Sequence, residues 1–232
     1  MAEPLRRLGG VIGCPIVFAL AGCALTPSDR IQSPEIRIEA MALLQTLNAD
    51  LLSHHSATLT LEHWCDVHHL DTPAHIVARR MRDFVKPIPG DLRARLAVTA
   101  DEKIAYRHVL LACGNHVLSE ADNWYVRDRL TAQMNHRLDT TDAPFGKVVQ
   151  ALGFWRQTLD AQLLWSPMPA NWEMSPQPET HSLAAPFSIP RFVLRHEAIL
   201  YTAKQVPFSA VVETYTNAVF DFGQWAAYRE LP

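Results

Sequence analysis

The sequence predicts an α+β fold: an antiparallel β-sheet with helices packed on one face. Three observations predict it. Apolar residues recur at helical spacing from Ile36 to Leu51. Two pairs of apolar runs, IAYRHVLLAC with HVLSEADNWYV and RFVLRHEAILY with FSAVVETYTN, read as β-hairpins. The elements also come in blocks, helices then strands then helices then strands, and not in the alternation that builds a parallel sheet.

The fold is expected to begin only after residue 33. MAEPLRRLGG carries Arg6 and Arg7, and VIGCPIVFALAG is apolar but too short to span a bilayer comfortably. The apolar run closes on LAGC, Leu20 to Cys23. That order resembles the signal peptide of bacterial lipoproteins, which implies removal of residues 1–22 and a diacylated Cys23 as the mature N-terminus. Residues 23–33 then form a polar tether, and residues 34–232 a single domain. The implied location is the bacterial cell envelope, on a lipid anchor at the periplasmic face of the outer membrane. A start codon assigned too far upstream would instead leave a cytoplasmic protein.

Ser33-Pro34 starts the first helix, serine as cap and proline in the first turn. Ile36, Ala40, Leu43, Leu44, Leu47 and Leu51 carry it to about residue 52. SHHSATLTLEHWCDVHH supplies its own caps and reads as a second helix, closing a helical hairpin. HIVARRMRDF is a short strand rich in arginine, and KPIPGDLRARLAV a turn with a short helix. The first β-hairpin turns at Gly114-Asn115. RLTAQMNHRLD is helical with Thr131 as cap, and DTTDAPFGKVVQAL follows it. FWRQTLDAQLLW fits strand and helix equally. Six prolines between residues 166 and 190 make that stretch an irregular excursion before the second hairpin.

Composition bounds the function. The chain has 232 residues, 48% hydrophobic and 19% charged, with a formal net charge of -3. It is long enough to bury a sizeable core. Its near-neutral charge gives no support for nucleic acid as a partner, since phosphate binding needs a concentrated basic face; no nucleic acid is expected. No cofactor motif is present. His63, His68 and His69 stand near Cys65, but no second cluster at ligand spacing accompanies them, so no metal is expected. With Cys14 removed and Cys23 lipidated, Cys65 and Cys113 remain. They pair or stay free according to a spacing that sequence does not reveal.

Charges placed among apolar neighbours mark the candidate site. Arg107 shares a strand face with Val109 and Leu111, and Glu213 shares one with Val211 and Tyr215. Each charge is costly there unless it reaches solvent, finds a partner or meets a ligand. Glu120, Asp122, Trp124 and Val126 share a third face, which is either core or solvent.

From about Ser33 to Asn217 the chain resembles the chorismate pyruvate-lyase family, and the related effector-binding domains of bacterial transcription regulators. The resemblance rests on the order of SATLTLE, LAVTADEKIAYRHVLLAC, DAPFG and VPFSAVVETYT. It implies that Arg107 binds the carboxylate of an aromatic acid. The backbone N–H groups of Ala57 and Phe145 would complete the clamp, and Glu213 would face the far end of the ring as acid. An arginine forks around a carboxylate, and a buried glutamate can hold a proton to donate. Chorismate lyases use such groups to eliminate pyruvate from chorismate, leaving 4-hydroxybenzoate. In SEADNWYV the lyases' second arginine has no counterpart; Asn123 stands closest, with Glu120 and Asp122 adding negative charge nearby. EADNWYV is closer to the effector-binding domains, yet no helix-turn-helix precedes it. Two functions follow: a carbon–oxygen lyase acting on chorismate or a similar carboxylate, or a non-catalytic envelope lipoprotein that binds a small aromatic acid.

Overall fold

The computed structural model describes residues 34–174 and 187–230. The signal-peptide region, Cys23, the tether and the middle of the proline-rich excursion lie outside the described residues. Helix α1 (Pro34–Ser53) and helix α2 (Ala57–Val67) form the N-terminal hairpin. Strand β1 (Ile76–Met81) and short helix α3 (Gly90–Arg95) follow, then the hairpin of β2 (Ile104–Cys113) and β3 (His116–Val126). Helix α4 (Ala132–Thr140) and helix α5 (Phe145–Val149) lead into β4 (Trp155–Leu163). Strands β5 (Phe192–Tyr201) and β6 (Pro207–Thr216) form the second hairpin. The ambiguous FWRQTLDAQLLW is thus a strand. It lies at the sheet's edge and is only partly buried, which is why its alternation is weak.

The sheet has six strands in the order β1-β2-β3-β6-β5-β4, every neighbouring pair antiparallel. Two three-stranded meanders therefore meet along their last strands, β3 against β6. Gly114 turns the first hairpin at a φ of 54°, a left-handed conformation that glycine adopts without strain.

The principal helices cover one face. Leu44, Leu47, Leu51, Leu61 and Trp64 of α1 and α2 pack on Val109, Leu111, Ala121 and Tyr215. Each such leucine buried from water contributes about 1.5–3 kcal/mol. Met134, Leu138, Phe145 and Val148 of α4 and α5 pack beside them on Tyr125, Phe208 and Val211. On the opposite face Leu92 of α3 and Leu96 just after it pack against Trp124, Val126, Ile199 and Ala210. The helix-covered face therefore carries two adjoining clusters, and the seam between them is where the polar residues gather.

Cys65 and Cys113 are joined by a disulfide, both fully buried, tying α2 to the end of β2. Among the described residues no helix is long and apolar enough to cross a membrane, and no cluster of histidine, cysteine, aspartate and glutamate is arranged to hold a metal.

Candidate functional site

Arg107 lies on β2, an interior strand, so its side chain has no sheet edge over which to reach water. Alternation turns it to the helix-covered face, where it is only 2% exposed. Its Nε, Nη1 and Nη2 all lack an acceptor among the described residues. Buried polar groups are almost always paired, and a buried charge without hydrogen bonds costs several kcal/mol. Burial pulls its pKa below the ordinary arginine value; Tyr125, Asp139 and Asp142 pull the other way without restoring it.

Two helix starts meet beside this guanidinium. Ser56 caps α2, its Oγ accepting from the Leu59 N–H at 3.4 Å. Ala57 is the first residue of α2 and Phe145 the first of α5, so neither N–H has an acceptor within its own helix. Nor does either donate to another backbone carbonyl. Gly146 lets the two starts approach: a Cβ there would lie 2.8 Å from Ser56 Oγ and 3.2 Å from Thr58 Oγ1.

Glu213 occupies β6, 7% exposed, on the same face of the sheet. Its Oε2 lies 2.7 Å from Nη2 of Arg156, which reaches in from the edge strand β4 with a side chain 4% exposed. The contact is close but off the line of a hydrogen bond. Burial alone would lower the Arg156 pKa; the Glu213 carboxylate and the Tyr215 hydroxyl outweigh it, and the net displacement is upward. Tyr215 donates its hydroxyl to Glu213 Oε2 at 3.2 Å. Opposite Glu213 in the register stands His196, fully buried, whose Nε2 contacts Asn48 Oδ1 at 2.9 Å. Burial lowers the His196 pKa to about 4, so the imidazole is neutral.

One cavity joins Arg107, the two helix starts, Arg156 and Glu213, with about 530 Å³ of atom-free space, part of it open solvent. Arg107, Ala57, Phe145 and Glu213, the four residues singled out from sequence, all line it. Its floor is apolar, built from Val109, Leu111, Ala121 and Val211. Asn123 also lines it, directly opposite Arg107 in the β2–β3 register. Its Oδ1 accepts from Ser209 Oγ at 2.9 Å. Arg156 is the residue that sequence reasoning missed. Its only signal was a charge at the start of an apolar run, in a segment whose period did not distinguish strand from helix.

Glu120 and Asp122 do not add negative charge to this cavity, contrary to the expectation from sequence. One residue out of phase with Ala121 and Asn123, they fall on the opposite face. There Asp122 accepts from Tyr106 Oη at 2.6 Å and Lys86 Nζ at 2.6 Å, and contacts His108 Nδ1 at 2.9 Å. Glu120 pairs with Arg191 at 2.6 Å. Cys23, the expected lipidation site, lies outside the described residues.

The chain is 52% identical over 191 residues to the uncharacterized protein y4mC of Sinorhizobium fredii (strain NBRC 101917 / NGR234), covering 82% of this chain and 80% of that one. The chain belongs to the y4mC family. No protein-family model matches it. Among solved structures, PhnF from Mycobacterium smegmatis aligns over 77% of this chain and 69% of its own, at 11% identity and a TM-score of 0.44. YydK of Bacillus subtilis, described as a possible transcriptional regulator, aligns over 64% of this chain at 16% identity and a TM-score of 0.38. The chain spans 60% of YydK, less than two thirds of its length. A GntR-family transcriptional regulator from Enterococcus faecalis aligns over 63% of this chain and 97% of its own, at 14% identity and a TM-score of 0.36.

Proposed function

We propose that this protein binds a small organic acid in the cavity between Arg107 and Glu213, without turning it over. The observation that carries the reading is Arg107: a buried guanidinium whose three nitrogens have no acceptor among the described residues. A carboxylate would take the paired donors of that fork and gain the Ala57 and Phe145 N–H groups beside it. The apolar floor suits a ring or short hydrocarbon body. The order of sequence motifs shared with chorismate lyases and effector-binding domains supports the same assignment. We further propose that the domain is exported and held to the envelope by a lipid anchor at Cys23, on the strength of LAGC.

Binding is favoured over a lyase reaction by the company Glu213 keeps. To eliminate pyruvate, Glu213 would have to give a proton to an ether oxygen. Glu213 Oε2 already faces Arg156 at 2.7 Å and accepts from the Tyr215 hydroxyl, an arrangement that engages it with the protein's own donors and not with a ligand's ether oxygen.

Calorimetry and thermal melts with benzoate, 4-hydroxybenzoate and short aliphatic acids test the reading. Wild type should bind at least one of them, with a rise in Tm. Arg107→Met should lose that binding while being more stable than unliganded wild type by about 1–3 kcal/mol, seen as a higher Tm, because it removes a buried charge that has no acceptor among the described residues. If Arg107→Met binds acids as well as wild type, the site lies elsewhere. Pyruvate released from chorismate by wild type, and lost in Glu213→Gln, would establish the lyase instead.

A further inference from the structure

The cavity holds two guanidinium groups and one carboxylate, and their arrangement is unequal. Among its lining residues Arg107, Arg156 and Glu213 are the lysine, arginine, aspartate or glutamate side chains present. Arg156 and Glu213 face each other at 2.7 Å, while the nitrogens of Arg107 have no acceptor among the described residues. From outside the cavity Arg80 opposes Tyr125, Asp139 and Asp142 at Arg107, and none of these gives its nitrogens an acceptor among the described residues; Asp139 is itself paired with Arg127 at 2.8 Å.

We propose that Glu213 is an internal counter-ion that sets the charge of the ligand. By neutralising Arg156 it leaves Arg107 as the cavity's one uncompensated charge, so the cavity selects monoanions over dianions and zwitterions. This rests on the reading of the cavity as an acid-binding site and adds what that reading leaves open, the number of charges the acid carries. The physical argument is desolvation. A second carboxylate on the ligand would leave water to meet an arginine already paired, and would crowd the Glu213 carboxylate. An ammonium group at that end would compete with Arg156 for Glu213. A neutral group, or a hydroxyl that donates to Glu213, carries neither cost.

Two charge-matched sets of acids test the proposal at about pH 8, where an ordinary histidine is neutral. One set is 4-hydroxybenzoate, terephthalate and 4-(aminomethyl)benzoate. The other is butyrate, succinate and 4-aminobutyrate. Calorimetry on wild type should rank the monoanion tightest in whichever set binds, by about tenfold or more, the factor that 1.4 kcal/mol of binding energy supplies. Glu213→Gln frees Arg156 and should move the preference towards the dianion by a similar factor. Arg156→Met frees Glu213 and should move it towards the zwitterion. The double variant Arg156→Met/Glu213→Gln has only Arg107 left and should return to the monoanion, which closes the cycle even if Arg156→Met alone folds poorly.

A wild type that binds dianions as tightly as monoanions overturns the proposal, as does an unchanged ranking in Glu213→Gln and the double variant. Either result leaves the acid-binding site standing. Absence of binding by every acid in both sets overturns the site and the charge selection together.

Discussion

Arg107 and Arg156 have the same side chain and are buried on the same face, yet they do opposite things. Arg156 is compensated by Glu213 and is a fixed part of the protein's own charge balance. Arg107 is uncompensated, and the fold keeps it at a cost that a bound anion would offset. His196, opposite Glu213 in the β5–β6 register, is a further buried ionisable group, and it makes the fold sensitive to acid. Its folded pKa of about 4 lies below the ordinary histidine value of 6.5. Between those values the unfolded chain binds a proton that the folded chain refuses, so stability is intact above 6.5 and falls as pH drops towards 4. Chemical denaturation should show a loss on going from about pH 7.5 to about pH 5 of which His196 supplies about 2 kcal/mol, the part that His196→Gln removes; His68, whose pKa burial also lowers, adds to the loss in the same direction. The Glu102 carboxyl, held down to about 2 by hydrogen bonds from Arg129 and the Thr99 backbone, titrates too low to account for a loss in that window. A wild-type stability that is flat across it would show that His196 takes up a proton in the folded state without penalty.

At the scale of elements, the site depends on two helix starts held close together. The α2 start contributes Ser56, Ala57 and Thr58, and the α5 start contributes Phe145 and Gly146. Gly146→Ala would bring a methyl group to 2.8 Å from Ser56 Oγ, so Ser56 must rotate and give up its cap on Leu59. The expected cost is about 1 kcal/mol of stability, the usual value of such a cap. The displaced Ala57 and Phe145 N–H groups should also weaken acid binding. Urea denaturation and calorimetry measure the two effects; unchanged values in both would mean that the helix starts move apart freely without harming the site. DAPFG and SATLTLE could be quoted from the sequence as separate motifs. That they touch follows only from the packing of α2 against α5.

At the scale of the whole molecule, the Cys65–Cys113 disulfide joins the first helical hairpin to the strand that carries Arg107. It closes a loop with a sequence separation of 48, which constrains the unfolded chain by about 2–4 kcal/mol. Disulfides persist in oxidising compartments, which supports the proposed export of this chain. Produced with its own N-terminal region in a Gram-negative host, the protein should fractionate with membranes and carry no alkylatable thiol at Cys65 or Cys113. Cys23→Ser should release it from the membrane. Double replacement of Cys65 and Cys113 by alanine should lower its stability by that same about 2–4 kcal/mol. Free thiols in the wild-type protein and a soluble location would argue for the upstream start codon and a cytoplasmic protein.

Apart from the strand character of FWRQTLDAQLLW, most of the helices and strands, the two hairpins, the first hairpin's turn, and the charges that share a strand face with apolar neighbours are legible in the sequence. These are properties of single segments, and periodicity reads them directly. The split between Asp122 and Asn123 shows the limit. Alternation put them on opposite faces, but only packing decided which face held the cavity. The tertiary structure alone decided that β3 lies against β6, bringing Arg107 and Glu213 over one floor. It also decided that Arg156 crosses from the far edge to neutralise Glu213, and that Cys65 meets Cys113. Contacts of that kind join segments distant in the chain, and their free energy comes from the partner, about which neither segment's own pattern carries any record.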